Sequence, residues 1–271
     1  MPLLHAGIPD GARSARLVPA LLGRPRPRRR VDVVDVPRPV GPPGTGGLTR
    51  ELTGGLELAR LVRAAPWLAA APRGHEQTVI DLPGWTAPEA GNLPLRSFLR
   101  FLGYDTRSWG LGTNRGTPER DAEVLADQLA ARPDEPPVAL VGCSLGGTIA
   151  REIARAVPER VACVVTFGSP VIGGPTHTIG ARTIGRDECA RIDALARRLD
   201  AERPIQAPIT AIYTRRDGVV DWRACIDHAS PHVEHVEVGS THFGLGLDPD
   251  VWWTVAHALA TARWPAFEAA A

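Results

Sequence analysis

The chain has 271 residues, enough for one large α/β domain, and 44% of them are hydrophobic, so it can build a full core and is not globally disordered. A formal net charge of +1 gives no overall reason to expect nucleic acid or an anionic membrane as partner. No apolar run reaches the roughly 18 residues of a membrane span. The four cysteines, Cys143, Cys163, Cys189 and Cys225, match no zinc spacing and are too sparse for a disulfide scaffold.

Residues 1–47 carry Arg24-Pro25-Arg26-Pro27 and Pro42-Pro43-Gly44, which resist regular structure. This predicts a poorly ordered Arg/Pro tail before a folded domain over 48–271. The alternation of Val and Asp in Val31–Val36 leaves open an edge strand there. Two Asp interrupt the valines after Arg28-Arg29-Arg30, so the apolar stretch of a secretory signal is missing, and a cytoplasmic location is expected. Leu48–Leu68 reads as a helix with Leu56, Leu58, Leu61, Val62 and Leu68 as its apolar positions, kinked or ended by Pro66.

From Thr78 onward, short β-branched runs alternate with helical ones. The expected strands are Thr78–Leu82, Asp105–Trp109, Val138–Val141, Val161–Phe167, Ile209–Thr214 and Val233–Val238. The expected helices are Leu95–Leu102, Pro118–Arg132, Leu145–Ala156, Arg186–Asp200 and Val251–Arg263. Such alternation implies a three-layer α/β/α architecture with a mostly parallel sheet of about six strands. Cys143 and Cys163 fall in apolar strands and read as small core residues. A Cys189–Cys225 bridge is conceivable, though spacing alone does not establish one. Trp252 and Trp253 read as anchors of the last helix.

The strongest chemical signal is Val138-Ala139-Leu140-Val141-Gly142-Cys143-Ser144-Leu145-Gly146-Gly147, a buried strand running through Gly-x-Ser-x-Gly into a helix. At such an elbow the turn is so tight that side chains two before and two after the serine would collide with neighbouring chain. Ser144 would then project at a helix N-terminus, where amides favour developing negative charge. A serine hydroxyl needs a base, and the base needs an orienting acid.

Both come later in the chain, in the required order. Asp217 lies just after the strand ending near Tyr213, with Asp221 as its rival. His242 lies in Gly239-Ser240-Thr241-His242-Phe243-Gly244, after the last strand. Among the other histidines, His235 and His257 fall inside a strand and a helix and read as structural. His228 and His232 read as surface loop, His177 as a residue that could line a pocket, and His5 and His75 precede the nucleophile. For the oxyanion, the amide of Leu145 and that of Trp85, after the Pro83-Gly84 turn, are the candidate donors.

Taken together, Leu82-Pro83-Gly84-Trp85, Leu102-Gly103-Tyr104, Trp109 to Gly116, the elbow at Ser144, Phe167-Gly168-Ser169-Pro170, Tyr213 to Val220 and Ser240-Thr241-His242-Phe243-Gly244 resemble the α/β-hydrolase superfamily, in particular small bacterial esterases and lipases. The motifs span residues 76 to 260. The resemblance implies a Ser144–His242–Asp217 triad, a two-amide oxyanion hole, and neither cofactor nor metal. The resemblance does not imply a substrate; the expected partner is a small-molecule ester or acyl substrate with an apolar acyl group. The leading antiparallel strand pair of the family is missing unless Val31–Val36 supplies part of it. About 20 residues between Phe167 and the next helix are too few for a separate cap domain, so Val171–Pro175, Trp85 and Leu111 are expected to line an open acyl pocket. The role of Asn114 stays open between loop orientation and the pocket. An acyltransferase on the same fold and a non-catalytic binding module remain alternatives, and the oligomeric state is not readable.

Overall fold

A computed structural model describes residues 29–30, 36–44 and 46–264. The expected Val31–Val36 edge strand falls almost wholly outside these residues. The first described strand is β1 (Arg29–Arg30). Next come α1 (Gly46–Glu51), a 3-10 turn over Leu52–Gly55, and α2 (Leu56–Leu68). The single expected helix is therefore broken, at Gly54-Gly55, where two residues without side chains weaken the helical backbone. Pro66 sits in the last turn, and the helix stops two residues later.

The remaining elements keep the expected alternation. They are β2 (Thr78–Leu82), α3 (Leu93–Phe101), β3 (Asp105–Ser108), α4 (Pro118–Ala130), β4 (Val138–Cys143), α5 (Leu145–Ala156), β5 (Val161–Phe167), the short α6 (Ala181–Ile184), α7 (Arg186–Glu202), β6 (Ile209–Tyr213), β7 (Val233–Glu237) and α8 (Pro249–Thr261). The sheet order is β1-β7-β6-β5-β4-β2-β3. Strands β2 to β7 are mutually parallel, and β1 pairs antiparallel with β7, Arg29 opposite Glu237.

Side-chain alternation splits the core into two layers. On one face, Ala139 and Val141 of β4 join Val165 and Phe167 of β5 beneath α2, α3 and α8. On the other, Val138 and Leu140 join Val164 beneath α4 and α5. All seven residues of β5 are buried, as a central parallel strand requires. Trp252 anchors α8 by stacking on Phe98 at 5.0 Å, as expected of a core aromatic. The chain runs outward from β2 to β3 and then returns across β2 to β4. The switch point of the sheet therefore lies between β2 and β4, where the carboxyl ends of strands open a crevice.

Two expectations change, and one observation is added. All four cysteines are free, so Cys189 and Cys225 do not pair, and Cys143 is only partly buried. The apolar positions expected to face the core from α2 do not all do so. Leu56, Leu58 and Val62 are exposed, and the buried face carries Glu57, Ala64 and Leu68. Part of the stretch before residue 48 lies against the sheet: Val36 packs on the Tyr213–Val220–Ile226 cluster, and the Val40 amide lies 3.4 Å from Asp221 Oδ2. Among the described residues, no helix is long and apolar enough to cross a membrane.

Candidate active site

Ser144 has φ +50° and ψ −121°, a region that non-glycine residues rarely adopt. Among the described residues only Glu76 and Thr86 share a positive φ without being glycine. The strain is held by close main-chain packing. A Cβ on Gly142 would lie 2.4 Å from Gly147 Cα, and one on Gly146 would lie 2.2 Å from the Leu82 carbonyl oxygen. Gly147 is equally confined, since a methyl there would lie 2.0 Å from Ser169 Oγ. The Ser144 amide donates to the Phe167 carbonyl at 2.9 Å, tying the elbow to the end of β5. The neighbouring Cys143 thiol is pushed up to about 12, by burial first and the Asp217 charge second.

Asp217 and His242 meet directly, with Asp217 Oδ2 2.7 Å from His242 Nδ1 and both residues buried. The other carboxylate oxygen accepts the Val219 and Val220 amides at 2.8 and 2.7 Å, so a tight turn fixes the acid. Asp221 is engaged elsewhere, capping the 3-10 turn Trp222–Cys225 through the Arg223 amide at 3.0 Å. Gly168, at φ +62°, leaves room for the imidazole, because a Cβ there would lie 3.1 Å from His242 Nδ1 and Cε1. Ser144 and His242 thus border the same Phe167-Gly168 pair at the end of β5. His235, by contrast, is buried and accepts the Asp227 amide through Nε2 at 2.9 Å. Burial holds its pKa down to about 4, against the upward pull of Asp227.

The turn after β2 lies against the elbow, a Cβ on Gly84 falling 3.4 Å from Ser144 Cβ. Among the described residues, the amides of Trp85 and Leu145 have no acceptor. The role left open for Asn114 is loop fixation. Fully buried, it donates from Nδ2 to the Pro83 carbonyl at 2.8 Å and accepts the Gly116 amide at 3.0 Å. Its own backbone exchanges bonds with Thr86 and Ala87. The Trp85 indole lies between Gly116 and Gly180 and stays 41% exposed.

Glu51 is the residue that sequence reasoning passed over. It is buried at the end of α1, and its Oε1 accepts the amides of Gly218 at 2.8 Å and His242 at 3.1 Å. Its Oε2 accepts the Phe243 amide at 2.8 Å. Gly47, one turn earlier, presses on the same loop, since a Cβ there would lie 2.9 Å from Gly218 Cα. The only sequence signal was an acid between leucines at helical spacing, which is also how a solvated face looks. A separate cavity of about 670 Å³ opens at the amino ends of β2 and β3, lined by Thr78, Tyr104, Asp105 and Trp264, and none of Ser144, Asp217, His242 and Glu51 borders it.

The family model described as alpha/beta hydrolase fold matches residues 99–182, a segment that includes the Ser144 elbow and stops before Asp217 and His242. Among solved structures, alpha/beta hydrolase domain-containing protein 10 from mouse is similar in fold, with a TM-score of 0.51 and 18% identity over 69% of this chain and 89% of that one. A structure of the metagenome-derived lipolytic enzymes LipS and LipT is similar at a TM-score of 0.51 and 18% identity, covering 70% of this chain and 94% of that one. Among curated proteins, glycerol-3-phosphate dehydrogenase (NAD(P)+) of Leifsonia xyli subsp. xyli strain CTCB07 is 36% identical over 118 residues. That match takes in 43% of this chain, and the chain spans only 29% of that protein's length. No Gly-x-Gly-x-x-Gly, the dinucleotide-binding fingerprint, occurs in the chain. The chain has the α/β-hydrolase fold and resembles that superfamily in sequence across residues 99–182.

Proposed function

We propose that the protein is a serine hydrolase that cleaves a carboxylic ester through an acyl-enzyme. Ser144 attacks the ester carbonyl, and His242 takes its proton and later returns it to the leaving alcohol. Asp217 holds the imidazole in its working tautomer and stabilises it when charged. The amides of Trp85 and Leu145 bind the oxyanion, and water then releases the acid. The observation that carries this reading is the 2.7 Å contact between Asp217 and His242 beside a serine of strained backbone. The open amides on either side of Ser144 add to it, because donors already in place cost no reorganisation when charge develops. Val171–Pro175, Leu111 and Trp85 are the residues proposed to line the site of a small substrate with an apolar acyl group.

Ser144→Ala tests the assignment. Turnover of a short p-nitrophenyl ester is expected to fall at least about a thousandfold, with an unchanged circular dichroism spectrum. Retained turnover overturns the reading. A panel of acyl-chain lengths then reports pocket size.

A further inference from the structure

We infer that Glu51 is a positioning residue of the active site, a carboxylate on the N-terminal helix α1 that locks the acid loop and the histidine loop into one register. The inference rests on the hydrolase reading for its kinetic consequence and on geometry for its substance. Three amides converge on one carboxylate, from Gly218 next to Asp217, from His242 itself, and from Phe243. An Asp–His pair joined by a single contact can still rock as a unit relative to the serine. A third group gripping the backbone of both partners removes that freedom.

The sheet supplies part of this registration, since Thr214 Oγ1 donates to the Ser240 carbonyl at 2.6 Å and the Val238 amide donates to the Tyr213 carbonyl at 2.9 Å. Those bonds act at the strand ends. Glu51 acts at the tips, where Asp217 and His242 sit. The surroundings of α1 fit the same role. Gly47 and Gly218 touch backbone to backbone, a Cβ on Gly218 falling 2.4 Å from the Gly47 carbonyl oxygen. Gly54, just after α1, approaches Thr241 and Gly244, so the helix and the turn after it lie along both loops. Carboxylate acceptors form stronger hydrogen bonds to amides than neutral oxygens do, and in this buried place the three amides would otherwise lose a partner.

Glu51→Gln is the decisive variant, because it keeps the shape but replaces one acceptor oxygen with an NH2 that faces donors. It is read in two ways. The first is ester turnover, with kcat expected to fall roughly tenfold to a hundredfold and KM to change less than about threefold, as a displaced catalytic pair would give. The second is the far-downfield proton resonance of the Asp217–His242 hydrogen bond in the full chain, expected to broaden or vanish while the circular dichroism spectrum holds. A variant with kcat within about twofold of wild type and an intact resonance overturns the inference. Should the wild-type chain neither turn over esters nor accept a fluorophosphonate label, the hydrolase reading falls, and the resonance alone still decides the role of Glu51. If Glu51→Gln does not fold, Gly47→Ala shifts α1 from the acid loop with the carboxylate intact. Loss of kcat or of the resonance then supports the inference, and wild-type values for both overturn it.

Discussion

The proposed nucleophile and its proposed acid–base partners are held by opposite means. Ser144 sits in a local steric trap, its backbone confined by Gly142, Gly146 and Gly147, whose missing side chains let main chain touch main chain. Asp217 and His242 sit in loops gripped by polar contacts that reach far along the chain, 167 residues from Glu51 to Gly218 and 192 to Phe243. A steric trap is insensitive to charge and intolerant of added volume. A polar clasp tolerates volume better and depends on every donor finding its acceptor.

The comparison can be broken most sharply on the steric side. Gly146→Ala places a methyl against the Leu82 carbonyl, which is backbone at the end of β2 and has little room to yield. Ester turnover is expected to fall at least about a hundredfold, since small displacements at the reacting atoms have effects of that size. The melting temperature should drop with it, overpacking typically costing about 1–3 kcal/mol. Turnover within about tenfold of wild type would show the elbow to be plastic. Asn114→Ala comes next and tests the polar principle on the Ser144 side. It leaves the buried Pro83 carbonyl and Gly116 amide without these partners, at about 1–3 kcal/mol of stability measured by urea unfolding. It also frees the loop bearing the Trp85 amide, so kcat should fall about tenfold, less than for outright loss of an oxyanion donor. Unchanged kcat would remove that loop from the chemistry.

The smallest effect concerns pH. His235 is held neutral, with its pKa lowered to about 4 by burial. Between that value and about 6.5 the unfolded chain binds the extra proton. The stabilisation is therefore complete above about pH 6.5 and is lost as pH falls towards 4. Asp81 and Asp248, both raised to about 6 chiefly by burial, work in the opposite sense over an overlapping range. The difference between wild type and His235→Gln isolates the histidine. From pH 7 to 4.5 wild type should lose about 2 kcal/mol relative to the variant, read by urea unfolding at both values. Parallel losses would mean that His235 carries no pH sensitivity.

The same contrast explains how much could be read beforehand. The elbow was legible because its cause is local: a buried strand, glycines at fixed offsets and a helix lie within ten consecutive residues. Strand positions were legible for a related reason, since β5 is apolar at every position but Thr166 and the expected Val161–Phe167 is the observed strand. Asp217 could be preferred over Asp221 only on nearness to the strand end, and the capping duty of Asp221 that separates them needed coordinates. Glu51 was hidden because its partners are backbone amides, which leave no trace in side-chain patterning. The leucines around it misled, as Leu52 and Leu56 face solvent while the acid turns inward. Asn114 was conspicuous as a residue and silent as a role, because its bond to Pro83 crosses 31 positions.

The state of the thiols has a practical consequence. Burial raises all four, Cys143 and Cys163 to about 12 and Cys225 well above its ordinary value, with Cys189 shifted the same way. At neutral pH each stays protonated, and the protonated form is a poor nucleophile. The thiolate fraction is therefore small at all four positions, including Cys143 beside Ser144, and slow alkylation of the folded chain by a thiol reagent is the expected outcome.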